Sequence, residues 1–574
     1  MKIKTNLLIL FFAILVARLL YPAAEICLYI LTHTREEVVN YSLQLLGKQY
    51  LYPYISEIYT PQKHGFAKIV ACVFWVFIFG ILVAAIFLRE RIYRTLRYLL
   101  EGCSRVIADF FGETFRNSGK NTLLLSGIFM TGLAVCLISI FTVPTSFDEA
   151  DTWLLFISKG PLFISSFYPF PNNHIFYNWM VWLISFLPVS PSILLRIPLI
   201  PAFVITFFVF YRYVKSIFDE KTGLISSAVL IFTYSFLEYN HLGRGYLFLL
   251  MFSIILLYAL HNINSGFRKR YQYAILASLI LGTYSVPSFI YFLMPVLLFY
   301  LLFYYKKDSD KAWLLFKISF IAVFVIFILY TPILLVSGNY NFMRQYEPIA
   351  VSRIPEVLIK IHHQLFKYIF GYTPLRFAIS LLFLAGIITG LFDEKRRWLL
   401  ILTFALIITP YLVFILQRQV YPPRIFIHLI LLTSMFIGSL FFYINNQRIV
   451  IAFFFILISF YIYHNNIRNP IFAKYDKMDK AAELISEKII GENKKSIFFS
   501  QQYPKPLIEF YTKIDNHKIT IFNENGKWKQ DSFNSKKNYD VIFWKSGDSR
   551  IIQMENAYDI FYSDETLTIT TRKD

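Results

Sequence analysis

The feature that most constrains this chain is a succession of long apolar runs separated by short polar gaps. They cover residues 5–22, 66–88, 122–143, 195–211, 222–239, 245–263, 272–286, 288–304, 313–336, 376–392, 398–416, 424–443 and 449–465. A helix needs about 20 predominantly apolar residues to cross a bilayer, so these runs supply about thirteen crossings. Charged residues make up 16% of the 574 positions and hydrophobic residues 57%, whereas a soluble domain carries roughly 25% charged residues. A water-soluble globule is thereby excluded, and the expected fold class is a polytopic α-helical membrane protein.

The 56 Lys and Arg against 36 Asp and Glu give a formal net charge of +20. In a soluble protein that excess would suggest nucleic acid. In a membrane protein it is first a topology signal, because cytoplasmic loops collect Lys and Arg. Lys2 and Lys4 precede the first run, which places the N-terminus inside and makes every second gap cytoplasmic. Those gaps hold Arg89, Arg91, Arg94, Arg97 and Arg105; Arg212, Lys215 and Lys221; Arg268, Lys269 and Arg270; Lys306, Lys307 and Lys311; Lys395, Arg396 and Arg397; and Arg448. Each is basic, as the rule requires. The agreement depends on keeping Ile175 to Leu187 out of the count: its apolar core is shorter than a span, so it reads as a re-entrant or interfacial helix. The C-terminus then lies outside. Arg18 interrupts the first run and no small-x-small cleavage site follows, so that run is read as a span rather than a signal peptide. Cys27, Cys72, Cys103 and Cys136 show no metal-ligand spacing, and neither a disulfide framework nor a zinc site is expected.

Three units follow. Residues 1–121 hold two N-terminal spans and a basic cytoplasmic loop, residues 122–468 a helical membrane domain, and residues 469–574 a soluble extracytoplasmic tail. The second outer loop contains Ile354 to Phe370, whose apolar residues recur at helical spacing among Lys360, His362, His363 and Lys367, the pattern of a helix lying in the interface. The tail is charged and rich in Lys and Asn. It carries β-prone runs at Ser496 to Ser500, Lys518 to Phe522 and Val541 to Trp544 and a helical pattern near Met478 to Ile490, enough for a small α/β domain.

The residues that carry chemistry gather in the outward gaps. Immediately after a span ends at Val143-Pro144 stand Asp148, Glu149 and Asp151, which could bind a divalent cation through oxygen or deprotonate a sugar hydroxyl. The same pattern also fits a short helix capped by Thr145 or Ser146 with acidic residues in its first turn. Further along the loop, Asn172, Asn173, His174 and Tyr177 combine hydrogen-bonding groups with aromatic faces suited to a sugar, although an aromatic belt at the membrane surface has a similar composition. The next outward turn reads Glu238-Tyr239-Asn240-His241-Leu242-Gly243-Arg244-Gly245-Tyr246. The glycines allow a tight turn and leave the Arg244 guanidinium uncovered, where it could clamp a phosphate or reach to the lipid head groups. Arg418 and Arg424 also face outward, against the positive-inside bias, as candidate contacts for an anionic lipid phosphate.

Taken in order, Asp148-Glu149 at the end of a span, Asn172-Asn173-His174, Leu195-Arg196-Ile197-Pro198 opening the next span, and Gly243-Arg244-Gly245-Tyr246 resemble the bacterial protein-O-mannosyltransferase-like (family 39-like) glycosyltransferases of the glycosyltransferase C superfamily. The resemblance implies an enzyme of the cytoplasmic membrane. It would take a sugar from a polyprenyl-phosphate-linked donor and pass it to a lipid, glycan or protein acceptor on the extracytoplasmic face. It implies Asp148 as the catalytic or acceptor-positioning carboxylate supported by Glu149, a sugar pocket lined by Asn173 and His174, and a phosphate held by Arg244 with Arg424. No cofactor is implied beyond a possible divalent cation, for which Asp148, Glu149 and Asp151 would be the ligands. Membrane lipid, donor and acceptor are the expected partners, and nucleic acid is not. A lipid-linked saccharide flippase, or a non-catalytic subunit that binds such a lipid, is the alternative. A transporter would place ionisable residues near the bilayer midplane, yet here the charges sit at the ends of the runs.

Overall fold

The computed structural model describes residues 21, 24–46, 59–87, 120–168, 172–263, 268–336, 349–370, 375–391, 397–443, 452, 459, 473–499, 505–514, 520–523, 539–545, 551, 557–563 and 567–573. The runs at 5–22 and 449–465, Cys103, the basic gap from Arg89 to Arg105 and Lys2, Lys4, Lys395, Arg396 and Arg448 lie essentially outside the described residues.

Every other apolar run forms a helix. In chain order these helices, and the shorter ones between them, are α1 (Arg35–Leu46), α2 (Pro61–Phe87), α3 (Lys120–Thr142), α4 (Phe147–Leu155), α5 (Pro161–Ser166), α6 (Ile175–Ile184), α7 (Leu199–Ile217), α8 (Glu220–Ile231) and α9 (Tyr234–Tyr239). They continue with α10 (Tyr246–Asn262), α11 (Arg268–Ser285), α12 (Ile290–Lys307), α13 (Ser309–Val336), α14 (Ile354–Phe370), α15 (Leu375–Leu391), α16 (Arg397–Gln417) and α17 (Leu429–Ser439). Among the described residues 6 helices are long and apolar enough to cross a membrane. The run at 222–239 breaks at Phe232 and Thr233 into α8 and α9. The stretch from Ile175 forms the 10-residue helix α6, about 15 Å long at 1.5 Å per residue, half of the hydrocarbon thickness.

The outer helices expose large apolar side chains in rows, such as Phe66, Ile69, Val73 and Val76 on α2 and Phe320, Val323 and Phe327 on α13. Contiguous apolar surface of this extent needs a covering apolar medium, and the chain is a multi-pass membrane protein. The centre is tightly filled: α7, α8, α10 and α17 pack on one another and bury, among others, Phe203, Phe207, Leu249, Leu256, Ile430 and Phe436. Helix α14 turns Val357, Ile361, Leu365 and Tyr368 inward and leaves Ile359, Lys360 and His363 exposed, the one-sided burial its spacing predicts.

The tail forms an α/β domain of α18 (Ala473–Gly491), β1 (Ser496–Phe499), α19 (Lys505–Ile514), β2 (Thr520–Asn523), β3 (Val541–Lys545), β4 (Tyr558–Ser563) and β5 (Leu567–Arg572). Strand order is β2-β1-β3-β5-β4, with β1 parallel to β2 and β3, and β5 antiparallel to β3 and β4. Alternate residues separate the two faces. Ile497, Phe499, Val541 and Phe543 face Ile485, Ile489, Leu507 and Ile508 of α18 and α19. Phe498, Ile542 and Trp544 join Tyr539 and Tyr558 on the other side. Helix α19 also packs against α4, which brings the domain to the end of the bundle where the candidate residues lie. Cys27, Cys72 and Cys136 are free thiols.

Candidate functional site

The site begins where α3 stops. Pro144 has no N–H to continue a helix, and two residues later Ser146 starts α4. Its hydroxyl accepts the Glu149 N–H at 3.3 Å while Glu149 Oε2 accepts the Ser146 N–H at 2.8 Å, a complete capping box. The capping pattern and the acidic chemistry therefore coexist in one short helix.

Adjacent carboxylates in that helix face different environments. Glu149 is fully buried. Arg196 grips it as a fork, Nε to Oε1 at 2.9 Å and Nη2 to Oε2 at 3.0 Å, and Oε1 also accepts the Gly243 N–H at 2.7 Å. Arg196 in turn donates to the carbonyls of Ile140, Val143 and Pro144, so it clamps the end of α3, the loop and α4 together. Burial alone would raise the Glu149 pKa, but the Arg196 charge, its hydrogen bond and the N–H groups of Ser146 and Gly243 outweigh that and hold it below the usual carboxylate range. Each Glu149 oxygen thus accepts two hydrogen bonds, which leaves Asp148 the more open of the neighbouring carboxylates. Asp151, one turn beyond Asp148, is half-buried.

Asp148 is the partly open member, with its side chain 36% exposed, and it pairs with Arg244 Nη1. Arg244 is buried rather than uncovered as the sequence suggested. Three of its nitrogens reach three partners: Asp148, Asn172 Oδ1, and His174 Nε2 at 3.1 Å. Since the guanidinium can only donate, His174 Nε2 must be an acceptor, leaving the imidazole proton on Nδ1. Burial, followed by the charge of Arg424, pushes the His174 pKa down to about 3, so the ring is neutral at physiological pH. Burial pulls Arg244 itself down to about 10, still protonated. The buried Asn172 Nδ2 makes no hydrogen bond among the described residues, leaving a donor without an acceptor on the residue that binds Arg244 through Oδ1.

Tyr246 joins the second cation to the first. Its hydroxyl accepts from Arg424 Nε at 3.0 Å, and the guanidinium carbons of Arg244 and Arg424 lie 5.4 and 5.8 Å from its ring centroid. The His174 ring packs edge-on against it at 4.9 Å. Two guanidinium groups gathered on one phenol suit a multiply charged anion. Beside Arg424 lies a small pocket of mixed polarity, lined by Ile361, Gln364 and Leu365 of α14, Pro410 and Phe414 of α16, and Gln419, Tyr421, Pro423 and Phe426.

Other candidates serve the framework. Asn173 Nδ2 donates to the carbonyls of Ile164 and Phe167, its Oδ1 accepts from Asn178, and the Tyr177 hydroxyl donates to the Leu195 carbonyl. Arg418 is exposed, with φ of 53°, and its carbonyl accepts from the Ile349 N–H. The glycines flanking Arg244 are required for space rather than for an unusual backbone, since Gly160 is the positive-φ glycine among the described residues. A Cβ on Gly243 would lie 2.8 Å from Glu149 Oε1, and one on Gly245 2.9 Å from His174 Cβ. No group of three His, Cys, Asp or Glu side chains able to hold a metal ion occurs among the described residues. Asp148, Glu149 and Asp151 do not form the expected ligand trio, because Glu149 turns inward to Arg196. Sequence reasoning missed Arg196 as the organiser of the loop, and Glu238, a buried carboxyl within reach of the Arg424 charge. An Arg two residues before a Pro, at the start of an apolar run, was the available signal for the first.

Residues 172–335 match the dolichyl-phosphate-mannose-protein mannosyltransferase family. No curated protein sequence matches the chain. Among solved structures, ArnT from Cupriavidus metallidurans in the apo state superposes with a TM-score of 0.52 at 9% identity, covering 79% of this chain and 98% of ArnT. The same protein bound to undecaprenyl phosphate gives 0.52 at 10% identity, covering 77% and 97%. Over residues 172–335, which carry Asn172, His174, Arg196 and Arg244, the chain is therefore similar to the dolichyl-phosphate-mannose-protein mannosyltransferases, and in fold it is similar to ArnT.

Proposed function

We propose that the protein transfers a sugar from a polyprenyl-phosphate-linked donor to an acceptor at the extracytoplasmic face of the cytoplasmic membrane. The observation that carries this reading is the constellation on Arg244: a part-exposed carboxylate, an amide and a neutral imidazole share this one buried cation, and Tyr246 sets a second guanidinium, that of Arg424, beside it. Undecaprenyl phosphate is the lipid bound to ArnT, which this chain resembles in fold, in its liganded structure. The basic gaps on alternate sides support an outward orientation for this end of the bundle and the C-terminal domain.

In the mechanism we infer, Arg244 and Arg424 receive the donor phosphate, and Asn172 and His174 orient the sugar. Asp148 shares Arg244 in the unliganded protein. A phosphate that takes up the guanidinium frees a carboxylate oxygen, so the base becomes available when the donor arrives. Asp148 then accepts the acceptor's hydroxyl proton as that oxygen attacks the anomeric carbon from the face opposite the phosphate, with inversion. The C1–O bond to the polyprenyl phosphate breaks, and the departing negative charge is met by the two guanidinium groups. Glu149 and Arg196 hold the frame.

The test is mass analysis of envelope lipids and glycans from cells with and without the protein. A molecule lighter by one sugar in its absence is expected. Identical profiles would overturn the reading, and lipid-linked saccharide accumulating on the cytoplasmic side in the protein's absence would point to a flippase instead.

A further inference from the structure

We infer that Tyr511 of the C-terminal domain is a positioning residue for the transfer step, holding the start of the helix that presents Asp148. The inference rests on the reading of Asp148 given above. Its hydroxyl accepts the backbone N–H of Thr145 at 3.3 Å, across 366 residues of sequence. Thr145 precedes the N-cap of α4 by one residue and Asp148 by three. It is buried, and its hydroxyl donates to Ser192 Oγ at 2.9 Å. Lying before the cap, its N–H has no place in the helix ladder, and a buried N–H without an acceptor is costly. The soluble domain supplies that acceptor.

The arrangement makes Thr145 a node between two tethers. Ser192 fastens it to the turn that leads to Arg196, and Tyr511 fastens it to α19. The next residue, Ser146, passes that placement to Asp148 through the capping box. The Tyr511 hydroxyl also lies near enough to Glu149 and Arg196 for their charges to interact. Among the described residues Asp148, Asn172 and His174, the partners of Arg244, make no hydrogen bond to Tyr511, so its influence falls on the carboxylate's helix and not on the phosphate cradle. Small displacements of a catalytic group lower rate steeply, about 100-fold for 1 Å.

Tyr511→Phe keeps the ring packed and removes only the acceptor. It is studied in the full-length protein in lipid nanodiscs. Hydrogen exchange of peptides covering 145–155 should quicken several-fold, with α18 and the sheet unchanged. Affinity for undecraprenyl phosphate, measured on the free lipid, should stay at the wild-type value, while transfer in cells falls about tenfold. Ser192→Ala loosens the same node, so the two substitutions together should accelerate exchange by a factor different from the product of their separate effects. Wild-type exchange and transfer in Tyr511→Phe would overturn the proposal, as would strictly multiplicative effects in the pair. Should Asp148→Asn leave transfer intact while Tyr511→Phe quickens exchange, the base assignment fails and the tether stands.

Discussion

Glu149→Gln should cost far more stability than Asp148→Asn, and the order for catalysis should be the reverse. The Glu149 oxygens accept four hydrogen bonds, Oε1 from Arg196 Nε and Gly243 N–H and Oε2 from Arg196 Nη2 and Ser146 N–H, at 2.7 to 3.0 Å. Glutamine offers one carbonyl and one NH2. Whichever way the amide is turned, its NH2 meets two donors, and Arg196 is left buried without an anion. Breaking a buried ion pair from one side costs about 3–5 kcal/mol, nearly a thousandfold in the folding equilibrium at the midpoint of that range. Asp148 is 36% exposed on its side chain while Arg244 is buried, so the lost charge is only partly replaced by water; asparagine retains a carbonyl for Arg244, and about 1–2 kcal/mol is expected there. Transfer should nevertheless drop by about 100-fold to 10,000-fold in Asp148→Asn, the usual range for losing a general base. Equilibrium unfolding in mixed micelles, followed by tryptophan fluorescence, compares the two variants. Wild-type stability in Glu149→Gln would refute the assignment of Glu149 to the frame.

Gly243→Ala should damage the same frame, because the added methyl meets Glu149 Oε1 at 2.8 Å and the Tyr177 hydroxyl at 2.9 Å. A loss of about 1–3 kcal/mol by the same unfolding titration is expected, and a neutral result would contradict the packing account. Stability should also fall in acid. Burial holds His174 and His241 at about 3 in the folded protein, against about 6.5 in an unfolded chain. Below that value the unfolded state binds protons that the native state does not, so this stability is whole above pH 6.5 and declines as pH drops toward 3. Denaturation at stepped pH should show the decline, with a shallower slope in His174→Asn; a flat profile from pH 7 to 4.5 would argue against neutral buried imidazoles. Arg244→Lys places one nitrogen where three now reach Asp148, Asn172 and His174. Affinity for undecaprenyl phosphate should weaken about tenfold or more, and unchanged binding would remove Arg244 from the phosphate site.

The helices were legible because span length and apolar composition are local properties. So were β1, β2, β3 and α18, whose runs keep a strand or helix period. Strands β4 and β5 escaped because Tyr558 to Ser563 and Leu567 to Arg572 mix polar residues into the pattern, and their pairing with β3 supplies the order. At the site, residue types and order were enough to single out Asp148, Asn172, His174, Arg244, Tyr246 and Arg424, which the structure gathers. Sequence could not divide the roles of neighbouring carboxylates. Asp148 and Glu149 differ by one position, yet the helix turns one to Arg244 and the other to Arg196, 47 residues away. Nor could it show that Arg244 is buried, since its cover comes from a loop 70 residues earlier. The glycines around it were read as turn formers, but the constraint is the closeness of Glu149 and His174, which exists only after folding. Tyr511 lay beyond any local reading for the same reason.

The account stands most directly on Asp148. Cells lacking the protein should be complemented with the wild-type chain or with Asp148→Asn, each verified as folded and inserted by its unfolding profile, and the envelope product measured by mass. The account predicts that the wild type restores the missing sugar while Asp148→Asn, present at equal level and still binding undecaprenyl phosphate, does not. Full restoration by Asp148→Asn would contradict it.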